Sequence, residues 1–293
     1  MFQGCFTALV TPFKEGKVDE DALKRLLEIQ IEAGVAGVVP CGTTGESATL
    51  SYEEHNRVIE LTKELTEGKI KVIAGTGSNS TAETIMLTRH AEEVGADAAL
   101  LITPYYNKPT QKGLLEHYGK IAEHTSIPLI LYNVPSRTGV NMLPETVARL
   151  SEFENIVGIK EASGDLDQVS QIIELTGEDF TVLSGDDSLT LPMLAIGGRG
   201  VISVTSNILP SEVSLLCKHF FDGNLEEARK LHQRLQPLNR IMFIETNPIP
   251  VKTALSMMGL IEEELRLPLT TITDANRIKL EELLKNYGLI KEA

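Results

Sequence analysis

Basic residues are scarce in this chain: 27 lysines and arginines stand against 41 aspartates and glutamates, a formal net charge of −14. That excess of negative charge argues against a nucleic acid or an anionic membrane as partner and favours solubility. Cysteine is scarcer still. Cys5, Cys41 and Cys217 are odd in number, scattered and without CxxC spacing, which fits the reduced, buried cysteines of a cytosolic protein. The six histidines are dispersed, and no His/Cys/carboxylate cluster has the spacing of metal ligands, so no metal is expected. No apolar run reaches membrane-spanning length, and the N-terminal Met1-Phe2-Gln3-Gly4-Cys5-Phe6 lacks a basic segment and a signal-peptide core. A cytoplasmic location is the expectation. The glycine-rich dinucleotide turn is missing as well: Thr11-Pro12-Phe13 follows the first strand, which removes the Rossmann reading and leaves no call for a cofactor.

What is present is ample core, with 42% hydrophobic and 23% charged residues, arranged in a strand-then-helix rhythm. Strand patterns fall at 5–10, 37–41, 71–75, 98–103, 128–132, 156–160, 180–184 and 200–204. The helices between them carry start signals: Ser51-Tyr52-Glu53-Glu54 and Ser80-Thr81-Ala82-Glu83 read as capping boxes, and Pro144 and Pro210 suit a first turn. Gly34, Gly68, Gly95 and Gly177 fall where helices end. Near-continuous apolar strands in eight β/α units predict an α/β protein, a closed (β/α)8 TIM barrel, with a doubly wound open sheet as the alternative. The barrel is expected over residues 1–223. Residues 224–293 show only helical patterns, at 225–235, 251–258 and 274–287, and read as a helical region packed on the barrel.

One strand ends differently from the rest. Asn155-Ile156-Val157-Gly158-Ile159-Lys160-Glu161-Ala162-Ser163-Gly164-Asp165 is an apolar run that stops at a lysine and breaks into a turn. Alternation puts Ile156, Gly158 and Lys160 on one face and Glu161 on the other, so Glu161 is no close ion partner. Gly158 is expected to leave room beneath the lysine. A buried lysine that loses its charge is a nucleophile towards carbonyl carbon; a strand-end lysine that snorkels to solvent is the plain alternative.

Barrel chemistry belongs at the C-terminal ends of strands. There the sequence offers Cys41-Gly42-Thr43-Thr44-Gly45-Glu46-Ser47, Thr103-Pro104-Tyr105-Tyr106-Asn107-Lys108-Pro109 and Tyr132-Asn133-Val134-Pro135-Ser136-Arg137-Thr138-Gly139, besides Lys160. Hydroxyls, phenols, a guanidinium and an amine converge, with no carboxylate inside the strand ends. The set suits a carboxylate-bearing carbonyl substrate and proton shuttling. Each part also has a structural reading: a turn at 42–45, a core tyrosine at Tyr132, a loop-anchoring ion pair at Arg137. Gly197-Gly198-Arg199-Gly200 precedes its strand and lies at the stability end, Lys108 and Lys112 read as solvated, and Lys252 as structural.

Taken together, these stretches, with Gly158-Ile159-Lys160-Glu161-Ala162, resemble the 4-hydroxy-tetrahydrodipicolinate synthase (dihydrodipicolinate synthase) family. This is a branch of the pyruvate-dependent class I aldolases that include N-acetylneuraminate lyase. The likeness runs from Phe2 to the last helix. Thr43-Thr44 and Arg137 fall on the synthase side of the division between synthases and lyases. The resemblance implies a lyase of lysine (diaminopimelate) biosynthesis that condenses pyruvate with L-aspartate-4-semialdehyde. Lys160 would form the Schiff base, and Tyr132 would donate and accept protons, with Thr44 and Tyr106 completing a relay. Thr43 and Thr44 would hold the pyruvate carboxylate, helped by backbone near Gly185 and Ile202, and Arg137 would hold that of the semialdehyde. Family members donate the tyrosine matching Tyr106 across a dimer interface and assemble as homotetramers, dimers of dimers. Ser47, Ala48, His55, Asn79, Glu83 and Tyr105 match positions that bind inhibitory lysine in some members, whereas Tyr52 stands where some inhibited members have histidine.

The chemistry asks for such a set. A lysine of pKa about 10.4 is neutral in about one molecule in two thousand at pH 7, so burial that disfavours the charge gains rate. A lone phenol of pKa about 10 is a poor base, which makes a hydroxyl relay useful. Another pyruvate aldolase, for a sugar acid or sialic acid, and a non-catalytic carboxylate-binding barrel are the competing readings.

Overall fold

The computed structural model describes residues 2–291. Eight parallel strands close into a barrel: β1 (Gly4–Ala8), then, beyond a small hairpin of β2 (Phe13–Lys14) and β3 (Lys17–Val18), β4 (Gly37–Val39), β5 (Lys71–Gly75), β6 (Ala98–Ile102), β7 (Leu129–Asn133), β8 (Ile156–Glu161), β9 (Thr181–Ser184) and β10 (Gly200–Ser203). Each pairs with its neighbour in sequence, and β1 joins both β4 and β10. The open-sheet alternative is thereby removed. The hairpin escaped the sequence pattern because its strands are two residues long, turned through Glu15 and Gly16 at φ 52° and 77°.

Helices cover the outside: α1 (Glu20–Glu32), α2 (Tyr52–Thr66), α3 (Thr81–Glu93), α4 (Gln111–His124), α5 (Pro135–Thr138), α6 (Pro144–Leu150), α7 (Leu166–Thr176), α8 (Thr190–Ala195) and α9 (Pro210–Phe221). Ser51 and Glu54 form a full capping box at α2. At α3 the box is only half made. The Ser80 hydroxyl accepts from the Glu83 amide, but the Glu83 carboxylate turns to Tyr52 and Ser78 instead. Gly34, Gly68, Gly95 and Gly177 all take positive φ past helix ends.

Alternation sorts the strands between two apolar bodies. Phe6, Ile73, Leu100, Ile130, Tyr132, Leu183 and Ile202 fill the barrel, while Cys5, Val72, Leu101, Leu131 and Ile159 face the helices. β8 departs from this at its start. The register slips between Leu129 and Ile130, so Ile156 faces the helices and Val157 packs inward. Ile156 therefore does not share a face with Lys160, as simple alternation predicts, although Gly158 does. Nor is the space at Gly158 open: a Cβ there would lie 2.5 Å from the Thr181 carbonyl oxygen of β9. The room for the Lys160 stem comes from Gly185, where a Cβ would stand 3.2 Å from Lys160 Cε.

The last helices, α10 (Leu225–Ile241), α11 (Ile249–Met257) and α12 (Asp274–Asn286), share the outer apolar cluster through Leu235, Leu238, Val251, Leu255, Leu280 and Leu284. α10 continues through Pro237, past the expected end near 235, because Leu235, Leu238 and Met242 bury one face and offset the lost backbone hydrogen bond. Among the described residues no helix is long and apolar enough to cross a membrane.

Candidate active site

The C-terminal ends of the strands open onto a cavity of about 370 Å³. Thr43, Thr44, Tyr132, Arg137, Lys160 and Gly185 line it together. Ile202 packs in the apolar cluster that fills the barrel. Tyr106 is 85% exposed, at φ 74° in the loop after β6, outside the cavity of its own chain.

Lys160 is 6% exposed, with Nζ 4.2 Å from the centroid of the Tyr132 ring. The two residues are register partners on β8 and β7, which is why amine and phenol meet. Glu161 points the other way, as alternation requires. Its carboxylate accepts from Ser163 N at 2.6 Å, Asn133 Nδ2 at 3.0 Å and Gln168 Nε2 at 3.2 Å, and burial raises its pKa.

The Thr43–Thr44 loop is held from two sides. Thr11 Oγ1 donates to the Gly45 carbonyl at 2.7 Å, and Asn247 Nδ2 donates to Thr44 Oγ1 at 3.0 Å. Glu46 sits at φ 52° with its carboxylate inside the protein, 2.6 Å from Lys252 Nζ and 3.1 Å from Arg266 N. Lys252 Nζ and the Arg266 guanidinium carbon both lie over one ring, Phe13, at 4.2 and 4.3 Å from its centroid. Lys252 is thus a strut between α11 and the threonine loop. Burial pushes its pKa below the ordinary lysine range, and Glu46 works against that shift. Lys252→Met should cost about 3–5 kcal/mol of stability, because it strands a buried carboxylate. Urea unfolding reads this, and a change within about 0.5 kcal/mol, as for a surface site, would contradict it.

Pattern reading missed four wall residues: Asp186, Phe243, Thr246 and Asn247. Asp186 corrects the expectation of a mouth without carboxylates. It stands two residues past the end of β9, where burial raises its pKa and Lys160 works against that shift. Its neighbour Asp187 is occupied elsewhere, accepting from Val204 N at 2.8 Å, Thr205 N at 3.2 Å and the Ser203 hydroxyl. The other three come from the segment between α10 and α11, and no local pattern marks them as reaching the barrel mouth.

Behind the threonine loop lies a second cavity of about 660 Å³. Ser47, Ala48, His55, Glu83 and Tyr105 line it, and Asn79 Nδ2 reaches the Tyr105 carbonyl at 3.5 Å. Thr43, Arg137, Thr246 and Asn247 border both cavities. Tyr52 OH donates to Glu83 Oε1 at 2.7 Å, so part of the acidic group is already engaged. Among the described residues no cluster of side chains could hold a metal ion.

Residues 1–287 match the model of the dihydrodipicolinate synthetase family. The chain belongs to that family. A 4-hydroxy-tetrahydrodipicolinate synthase of Thermodesulfovibrio yellowstonii is 61% identical, over 99% of this chain and 100% of that relative. The crystal structure of dihydrodipicolinate synthase from Aquifex aeolicus superposes with a TM-score of 0.98 at 52% identity, covering 100% of both chains. The chloride-inhibited dihydrodipicolinate synthase of Acinetobacter baumannii, complexed with pyruvate, has a TM-score of 0.97 at 47% identity, over 99% of this chain and 100% of that one.

Proposed function

We propose that this dihydrodipicolinate synthetase family member condenses pyruvate with L-aspartate-4-semialdehyde to 4-hydroxy-tetrahydrodipicolinate, in cytoplasmic lysine (diaminopimelate) biosynthesis. The observation that carries the reading is a buried lysine against a tyrosine ring, in one cavity with two threonines and an arginine. Lys160 Nζ adds to the pyruvate ketone and water leaves, giving an imine that serves as electron sink. A methyl proton departs, and the enamine carbon attacks the aldehyde, whose oxygen takes up a proton. The substrate amine then adds to the imine carbon, closes the ring and frees the lysine amine.

Tyr132 moves these protons, relayed by Thr44 and by Tyr106 of a neighbouring subunit. The Asn247 amide supports that assignment: by donating to Thr44 Oγ1 it leaves the threonine's own hydrogen to point elsewhere. Thr43 and Thr44 hold the pyruvate carboxylate with backbone at Gly185 and Ile202. Arg137 holds the carboxylate of the semialdehyde, with Nη2 anchored on the Asn247 carbonyl at 3.3 Å. The exposed Tyr106 fits a homotetramer built as a dimer of dimers.

Following product from pyruvate and aspartate semialdehyde tests the activity; consumption of a sugar-acid or sialic-acid substrate instead would redirect the reading to another aldolase. Arg137→Ala should raise the KM for the semialdehyde far more than that for pyruvate, a loss of about 2–4 kcal/mol. If the pyruvate parameter carries the whole loss, Arg137 has another role.

The second cavity suits inhibition by lysine, with Glu83 as ammonium partner. Because Tyr52 engages Glu83, Tyr52→Phe is expected to lower the lysine concentration for half-inhibition. An activity titration flat to millimolar lysine in both forms would remove the idea.

A further inference from the structure

Two hydrogen-bond acceptors in the catalytic cavity lack donors. The Asp186 carboxylate receives no hydrogen bond from the described residues, whereas the adjacent Asp187 and the outward-facing Glu161 are filled by backbone and side-chain donors. Asn247 is 4% exposed, and its Oδ1 is buried without a partner, while its Nδ2 is committed to Thr44. Both residues line the cavity that holds Lys160 and Arg137.

We propose that Asp186 and Asn247 Oδ1 form a subsite for the ammonium group of the second substrate, next to the place of its carboxylate on Arg137. The proposal rests on the activity proposed above. An ammonium brings three donors and a positive charge, which answers an open carboxylate and an open amide oxygen together. An α-amino acid carries ammonium and carboxylate on one carbon, so the groups that receive them have to be neighbours. Asn247 supplies that adjacency: its backbone oxygen accepts from Arg137 Nη2 and its side-chain oxygen stands open. Pyruvate, which has no donor, would leave both acceptors unfilled. The subsite therefore selects the second substrate, not the first.

The test compares aspartate semialdehyde with succinate semialdehyde, which keeps the aldehyde and carboxylate but lacks the amine. Addition to each is followed in a single turnover of the pyruvate-loaded full-length protein by quenched proton NMR of the aldehyde, because succinate semialdehyde has no amine to close the ring and free the lysine; sites are counted by pyruvate-dependent borohydride labelling. The unsubstituted protein should consume the amino aldehyde with a second-order rate constant about a hundredfold or more higher. Asp186→Asn should shrink that ratio about tenfold or more. Asp186→Ser serves as the second variant should the first label poorly. Because the ratio divides out any effect on Lys160, an equal fall with both aldehydes would mean that Asp186 acts through the lysine, and would overturn the subsite. A preference left intact in the variants, or none in the unsubstituted protein, would also overturn it. Failure of the unsubstituted protein to consume aspartate semialdehyde would show before any variant is made and would remove the parent activity as well.

Discussion

Lys160→Ala is expected to lower condensation by about four orders of magnitude or more, since no other lysine among the described residues lines the cavity and the covalent route closes without the amine. The fold should survive. The removed side chain leaves space beside Gly185 and Tyr132 at the mouth of the barrel, not a void among the apolar layers beneath. Far-UV circular dichroism and the thermal midpoint should therefore stay close to those of the unsubstituted protein while product formation disappears. Lys252→Met is the useful contrast. That lysine is buried too, but its charge is spent on Glu46, so its loss should appear as instability before it appears as failed chemistry. A Lys160→Ala protein that retained a tenth of the activity would place the nucleophile elsewhere.

Tyr106→Phe should cost about two or more orders of magnitude, the range for a lost acid–base group, even though the tyrosine lies outside its own chain's cavity. Mixing it with Lys160→Ala should restore activity. A Lys160→Ala subunit still offers an intact Tyr106, and a Tyr106→Phe subunit keeps its own lysine. With random reassortment about half the dimers are mixed, each with one complete site, so activity should approach about a quarter of the unmutated level. Co-expression or joint refolding supplies the exchange. No recovery under demonstrated exchange would mean that each site is built from one chain, with the loop at 103–110 folding back to deliver its tyrosine.

The barrel and most of its mouth were legible because both follow from local periodicity. Each of the eight strand patterns matches an observed strand to within two residues at either end, and alternation alone carried Lys160 inward and Glu161 outward. The misreadings occur where a local pattern yields to a distant partner. Ile156 changed faces because a bulge against β7 shifts the register, which nothing in 155–165 announces. The Ser80 box stayed half made because Tyr52, on another helix, captures Glu83. Asp186 carries no mark in its own stretch, and it is the pairing of β9 with β8 that brings it to Lys160. Asn247 was the least legible: a helix-start asparagine by its neighbours, it reaches the site across 203 residues to bond Thr44. Spacing can place residues on a strand face, but it cannot say which later segment returns to cover the strand's end.

Mass spectrometry after borohydride reduction in the presence of pyruvate tests the central claim most directly. The imine becomes a stable secondary amine on reduction, so the peptide carrying Lys160 should gain a reduced pyruvyl group, in a pyruvate-dependent way, and Lys160→Ala protein should gain none. An adduct on Lys252 or Lys108, or no adduct on an active protein, would contradict it.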